Sequence, residues 1–431
     1  MSALRTAYDR KHHAAAHTSE YLFNQLIPYI GNKRKLLKLI EQAIQHTSAK
    51  EGAFLDLFAG SGVVSRMAKL LGYRVISNDW EPYAQAINQC YIACNRPSAF
   101  ASLGGYEQAI DHLNRLPAKI GWVTEHLCPR DDANYDIRTD RMFYMRKNGM
   151  RIDAIRQQIA EWKDAGRLTD AEEACLLAPL VYQACYRSNT SGVFKGFHNG
   201  WGGQTKTALY RNATDLHLDA TVFHDNGQQN LVFREDAQAL AERLAKEEVE
   251  IAYLDPPYNQ HPYGSNYHVL NSVVLWDKPA LSKQITRGSK SAIRLDWRTE
   301  RRSAYNYREE AGVAYRRLIG AINARYILTS YSTDGTIPLD ALLLTNVARG
   351  QVSVVMQGYK RYRVSSQRFS KKPMNVEFVL VVDTHRKGKT SAEELRERIE
   401  RHENAVLQSH SECQWLDEQC DPQASPRGRG G

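Results

Sequence analysis

No apolar run in this 431-residue sequence approaches the roughly 18 to 20 residues that a bilayer-crossing helix needs, and the longest clean ones, such as Phe378 to Val382, are strand-sized. The first twenty residues hold Arg, Lys and His but no continuous apolar core, which excludes a secretory signal. A cytoplasmic protein with no membrane partner is therefore expected. Cysteine is sparse: seven in all, an odd number, with no Cys-x-x-Cys pair. That excludes a disulfide framework and offers no zinc-ligand spacing, so the thiols are expected to be reduced and mostly buried, and no metal site is expected. Internal repeats are missing too. With 42% hydrophobic and 24% charged residues the chain is an ordinary folded protein, long enough for two or three domains or for one elaborated α/β domain.

Negative charge is the remaining shortage. Lys and Arg number 57 against 48 Asp and Glu, a net +9, and the surplus is local. Residues 287–317 hold nine basic and four acidic side chains; residues 356–372 hold six basic and no acidic ones. In the second stretch Tyr359, Tyr362 and Phe369 alternate with Lys360, Arg361, Arg363 and Arg368, a mixture suited to a polyanion that also presents flat bases. A solvated basic face gives the same pattern.

What is present is an α/β grammar. Asn32 reads as an N-cap before Leu36, Leu37, Ile40 and Ile44 at helical spacing. A strand-like run, Ala53 to Phe58, ends in Ala59-Gly60-Ser61-Gly62 and a helical pattern; a second strand, Arg74 to Ser77, ends at Asn78-Asp79 before a helical stretch from Ala84 to Cys94. Strand, glycine turn, helix, strand is the unit of a doubly wound parallel sheet. Helices are predicted over Met150 to Ala165 and Asp170 to Tyr186, followed by a polar glycine-rich loop from Asn189 to Thr207. The α/β pattern resumes with strand Leu231 to Phe233, helix Asp236 to Glu247, strand Glu250 to Leu254 and strand Arg325 to Ser330. A paired set near Val352 to Met356 and Val376 to Val382 follows, and a capping box, Ser391 with Glu394, opens a last helix.

Two motifs carry chemistry. The glycines of Asp56-Leu57-Phe58-Ala59-Gly60-Ser61-Gly62 let backbone approach a ligand at a helix N-terminus, although a structural turn accounts for them equally well. Asp56 at the strand end repels a pyrophosphate, and Ser65 stands where the dinucleotide fingerprint has its third glycine. A ligand with an ammonium group and a ribose fits better, and S-adenosylmethionine is such a ligand. Asp79, at the end of the next strand, is placed to accept from a ribose diol. The sharper motif is Asp255-Pro256-Pro257-Tyr258, delivered by an apolar strand to the carboxyl edge of the sheet. Two prolines fix φ and remove two N–H donors, leaving the Asp255 carboxylate and the Pro256 carbonyl as acceptors beside an aromatic plane. Such a cluster can hold both hydrogens of an exocyclic amino group, turn its lone pair out of ring conjugation and stack the base on Tyr258.

With Pro28-Tyr29-Ile30-Gly31-Asn32-Lys33, Ser77-Asn78-Asp79, Tyr263-Gly264-Ser265-Asn266-Tyr267-His268, Ile322 to Tyr326, Ser330-Tyr331 and Tyr359 to Tyr362, these motifs form an ordered set over residues 21 to 385. The set resembles that of the DNA adenine-N6 methyltransferases of the class that includes the Dam-type enzymes, most closely those of type IIS restriction-modification systems. The resemblance implies a doubly wound, Rossmann-like S-adenosylmethionine-dependent methyltransferase sheet with an inserted, mainly helical DNA-recognition domain. It also implies methyl transfer to the N6 amino group of an adenine flipped out of double-stranded DNA. A cognate restriction endonuclease is an implied partner and a monomer is expected. Tyr29, Gly31 and Lys33 would hold the methionine part of the cofactor, with Asp56, Phe58, Gly60 and Gly62 around its amino-acid end. Asp79 would bind the ribose and Asp236 the adenine amino group, though Asp236 also reads as a plain helix cap. Asp255, Pro256, Pro257 and Tyr258 would be the catalytic set. Asn189, Lys195, Asn266, Tyr267, Lys360, Arg361 and Arg363 would face DNA, with Trp201 and Lys206 in the same loop as Lys195.

Spacing adds an independent expectation. Gly60 and Asp255 are 195 residues apart, whereas about three βα units of ~30 residues each should separate them. Roughly a hundred residues are therefore inserted. The expected division is a flexible segment 1–20, a cofactor-binding half 21–100, an inserted target-recognition domain 101–230, a catalytic half 231–385, and a helix with a disordered tail 386–431. No Pro-Cys dipeptide of the kind used for cytosine ring-carbon methylation occurs. Methylation of a cytosine amino group or of RNA, or an idle DNA-binding protein of the same fold, remain alternatives at this level.

Overall fold

The computed structural model describes residues 19–282, 285, 294–360 and 374–419. Arg361 and Arg363 lie outside them, and Lys360 is the last residue of a strand. Seven strands form one sheet: β1 (Ala53–Asp56), β2 (Arg74–Asn78), β3 (Leu231–Phe233), β4 (Val249–Leu254), β5 (Ala324–Ser332), β6 (Gln351–Lys360) and β7 (Met374–Asp383). Their order is β3-β2-β1-β4-β5-β7-β6. The first five are parallel, and β7 runs antiparallel between β5 and β6. The paired set expected near the C-terminus forms in the register Val352 to Val382 and Met356 to Phe378.

β1 is buried along its whole length and β4 nearly so, which explains why they read as unbroken apolar runs rather than alternating ones. Successive side chains feed two cores. Phe54, Val75, Ile251, Tyr253 and Leu328 face one side of the sheet; Leu55, Ile76, Ala252, Leu254 and Ile327 face the other. Because β1 and β4 are neighbours while β2 and β5 lead away in opposite directions, the carboxyl ends of β1 and β4 open the crevice at the switch point. Asp56 pairs in register with Tyr253, so Asp255 emerges beside the glycine turn although 195 residues of chain separate it from Gly60.

Residues 101–230 are helical where they are regular, with helices Tyr106–Arg115, Trp122–Leu127, Arg146–Asp164, Asp170–Tyr186 and Leu209–Ala213. They pack against the sheet. Trp162, Leu180 and Val181 join Tyr83, Ile87 and Val273 in the same apolar core that covers one sheet face. The helix predicted from Met150 begins instead at Arg146, and Gly149 sits inside it. There its missing side chain lets the helix close against Cys128 and Thr124. The helix predicted over Ala84 to Cys94 starts at Pro82 and changes to a π-helix over Gln89–Ala93. Asn32 caps through its side chain, which accepts from Arg34 N–H at 2.6 Å. Ser391 and Glu394 form the expected capping box, opening a helix from Ala392 to Gln419 that buries Leu395 and Ile399. The five described cysteines, Cys90, Cys94, Cys128, Cys175 and Cys185, are buried free thiols. Among the described residues no helix is long and apolar enough to cross a membrane.

Candidate functional site

The glycine turn is held by its own carboxylates. Asp79, at the end of β2, accepts from Gly60 N–H at 2.8 Å with one oxygen and from Glu81 N–H at 2.9 Å with the other. Gly60 and Gly62 have φ of +51° and +77°, a region that side-chain-bearing residues rarely adopt. A Cβ at Gly60 would stand 2.9 Å from the Tyr29 ring, so the close approach that demands glycine includes one within the protein itself. Asp56 is buried, and one of its oxygens accepts from Ser65 Oγ–H at 2.7 Å while the other has no partner. Burial pushes its pKa up to about 7, with the Ser65 bond opposing and the Asp255 carboxylate adding to the rise.

The Tyr29 ring stacks against Tyr263 at 5.1 Å and Tyr267 at 5.0 Å. The adjoining backbone is clamped by the same two residues: Ile30 N–H donates to Tyr267 Oη at 2.8 Å, and Tyr263 Oη–H donates to Ile30 O at 3.0 Å. Lys33 has partners that its expected role did not include. Its ammonium pairs with Asp255 Oδ1 at 2.8 Å and donates to Tyr258 Oη at 3.0 Å. Burial alone would lower the Lys33 pKa, but Asp255, Tyr258, Glu377 and Tyr253 together hold it well above lysine's ordinary value. Burial raises the Asp255 carboxyl above the usual carboxylate range, and Lys33 opposes that rise. Tyr258 is fixed edge-on against Tyr331, with ring centroids 5.4 Å apart.

A cavity of about 270 Å³ opens at this edge, lined by Tyr29, Phe58, Asp79, Asp236, Asp255 and Pro257 among the expected residues. Asp236 also caps helix Ala237–Leu244, accepting from Gln238 N–H at 3.0 Å and Ala239 N–H at 3.1 Å with one oxygen. Asp236 is thus a helix cap that also lines the cavity. A smaller recess beside the cavity is lined by Tyr29, Gly31, Lys33, Asp56, Gly60 and Asp255. Sequence reasoning missed Trp80, Glu81, Tyr305 and Asn306 as cavity walls. For the first two, adjacency to Asp79 was an available signal; the other two belong to a stretch without a motif.

Of the expected DNA-facing residues, three point inward instead. Asn189 is fully buried, accepting from Gly202 N–H at 3.1 Å and donating to His198 O at 3.2 Å, so its amide is spent on organising the loop. Asn266 and Tyr267 are buried as well, Tyr267 as the clamp on Ile30. Trp201 packs inside and donates to Asp132 O at 2.8 Å. Lys195 and Lys206 are exposed, and Lys195 lies close enough to His261, just past Asp255 to Tyr258, to add to the burial that lowers that imidazole's pKa.

The model of the D12 class N6 adenine-specific DNA methyltransferases matches residues 29–297, which include the Tyr29 clamp, the glycine turn and Asp255 to Tyr258. The chain belongs to this family. The Modification methylase StsI of Streptococcus sanguinis is 32% identical over 373 residues, covering 84% of this chain and 53% of its own. The Type II methyltransferase M.NlaIII of Neisseria lactamica is 30% identical over 338 residues, covering 78% and 92%, and M.FokI of Planomicrobium okeanokoites is 29% identical over 345, covering 78% and 49%. The chain therefore spans about half the length of two of these relatives and nearly all of the third. As a D12-class methyltransferase it fits the resemblance expected from its motifs.

Proposed function

We propose that this protein is a site-specific enzyme that methylates the N6 amino group of adenine in double-stranded DNA, using S-adenosylmethionine, within a restriction-modification system that includes a cognate endonuclease. The observation that carries the reading is the buried Lys33–Asp255 pair, which lines the small recess and whose Asp255 also lines the cavity. The residues present fit the cofactor: a buried Asp56 oxygen without a partner lines the small recess, as an ammonium group requires. Asp79 and Asp236 supply acceptors along the larger cavity for a ribose and an amino group, with Tyr29, Gly31, Phe58 and Gly60 as the walls between, while Gly62 is the N-cap of the helix that follows the turn. When bound, S-adenosylmethionine supplies an electrophilic methyl group on a sulfonium.

The chain's own residues do the rest. The target amino group is stacked and paired in the duplex, so the base must leave the helix to reach Asp255. There the Asp255 carboxylate and Pro256 carbonyl accept its two hydrogens, and Tyr258 meets the base plane. Lys33 keeps Asp255 ionised in a buried setting that favours the neutral acid, so the carboxylate can accept the hydrogen bond and hold the proton that nitrogen sheds. The reading is tested by mapping methylated adenines in DNA from cells that express the wild type or Asp255→Ala.

Asp56 makes cofactor binding depend on pH. Its pKa of about 7 means that the acid form is populated at and below neutrality, while a cationic ligand favours the carboxylate. Affinity should weaken as pH falls below about 7, approaching ~10-fold per pH unit for one displaced proton. Binding calorimetry in buffers of different ionisation enthalpy should register proton release near neutrality and less at high pH. Glu81, also raised to about 7 by burial, titrates in the same window, so Asp56→Asn is the control that should flatten the slope.

We assign target choice to the surface of residues 101–230 and phosphate contact to Lys195, Lys206, Lys360, Arg361 and Arg363. Replacing Lys360, Arg361 and Arg363 together with Ala should lower the slope of log affinity against log salt by about three units, with the methylated site unchanged. An unchanged slope would return that segment to a solvated face.

A further inference from the structure

The chain between Arg294 and Tyr307 contributes residues 302–306 to the cavity wall, and charge pairs pin it. Arg294 pairs with Asp277 at 2.5 Å and Asp296 at 2.9 Å. Arg301 pairs with Asp296 at 2.9 Å and with the buried Glu81 at 3.6 Å. Glu81 is itself fixed by Asn271, which donates at 2.6 Å. Helix Tyr263–Asn266, which follows the catalytic loop, lies flush against this stretch: a Cβ at Gly264 would stand 2.7 Å from Trp297 Cβ and 2.9 Å from Glu81 Oε1. Further along, Tyr305 meets Phe58 of the glycine turn edge-on at 5.4 Å. Asn306 lines the cavity, and its Nδ2–H donates at 2.7 Å to the carbonyl of Asn259, the residue after Tyr258.

We propose that residues 294–307 are a strap coupling cofactor occupancy to the catalytic loop, with Asn306 as the positioning residue and the Glu81–Arg301 pair as the latch. Asn306 is at once a wall of the cofactor cavity and a tether on the catalytic loop. A ligand that fills the cavity therefore bears on Asn306 and, through it, on Asn259. Asn259 directly follows Tyr258, and Pro256 and Pro257 fix two φ angles between Tyr258 and Asp255, so a displacement at Asn259 is passed along the loop. Cofactor and DNA should accordingly tighten each other's binding, and the tightening must be reciprocal. The inference rests on the cofactor assignment made above.

The test is DNA binding by the full chain with and without S-adenosylhomocysteine, the demethylated and unreactive form of the cofactor. Wild type should bind DNA about 10-fold tighter when the nucleoside is present, a coupling of ordinary size. Asn306→Asp keeps the shape but loses the donor. It should reduce the coupling to about twofold or less and lower kcat, while KM for the cofactor shifts little. Arg301→Gln, which releases the latch without touching the loop, should act in the same direction. A purely structural role would lower the thermal midpoint and leave the coupling intact. Coupling of wild-type size in both variants, or none in the wild type, overturns the strap while leaving the cofactor assignment standing. Failure of the wild type to bind S-adenosylhomocysteine or S-adenosylmethionine at all would overturn both.

Discussion

Asp255→Ala is expected to lower the rate of methyl transfer by about 10²–10³, equivalent to roughly 3–4 kcal/mol of lost transition-state stabilisation by analogy with removing one preorganised partner. Stability should fall as well. Lys33 is only 3% exposed, and alanine at position 255 leaves its ammonium buried without its carboxylate. Breaking a buried pair from one side costs about 3–5 kcal/mol, whereas replacing both members with apolar residues is often neutral. Lys33→Met added to Asp255→Ala should therefore recover most of the stability and none of the rate. Single-turnover methylation and urea unfolding read the two quantities separately. A rate near wild type in the single variant would end the assignment of Asp255, and failure of the double variant to regain stability would show that the pair is not the structural unit described.

Gly60→Val is expected to weaken cofactor binding by about 10- to 100-fold, with the sheet still formed. Valine at φ +51° carries a strain of about 1–3 kcal/mol, and its Cβ would collide with the Tyr29 ring, which lines both the cavity and the recess. If the turn relaxes in the free protein and must be restored on binding, that strain, at about 1.4 kcal/mol per tenfold, is of the size of the loss. Calorimetric titration with S-adenosylmethionine measures it, and circular dichroism reports whether the fold survives. Tyr29→Ala with Gly60 retained separates the collision from the strain, because it removes the ring without changing the turn. Full affinity in Gly60→Val would mean that the turn is merely structural.

Local chemistry made much of this legible from sequence. Two prolines and an aromatic after a buried strand leave few arrangements for Asp255 to Tyr258, and a glycine turn between strand and helix has the same consequence wherever it occurs. The helix caps at Asn32 and Ser391 were likewise readable, since a cap is decided by residues two or three positions away. Asp236 was readable as a cap for the same reason, while its place on the cavity wall needed the fold.

Distance in sequence marks where that legibility stopped. Lys33 and Asp255 are brought together by a sheet that sets β1 beside β4, and no local pattern states that their charges meet. Asn189, Asn266, Tyr267 and Trp201 are polar or amphipathic and look as though they belong on a surface. Tyr267 and Trp201 meet backbone groups of distant segments there, Ile30 N–H and Asp132 O, and Asn189 serves its own loop. The same holds for residues 294–307, whose arginines read as a basic patch but spend part of their charge on Asp277, Asp296 and Glu81. Sequence by itself determined the order of strands and turns, the chemical character of each motif and the family, because these depend on neighbours along the chain. Tertiary structure alone decided which charges are paired, which polar groups are buried and which distant residues line the cavity, because a buried group's free energy depends on what the whole fold places against it.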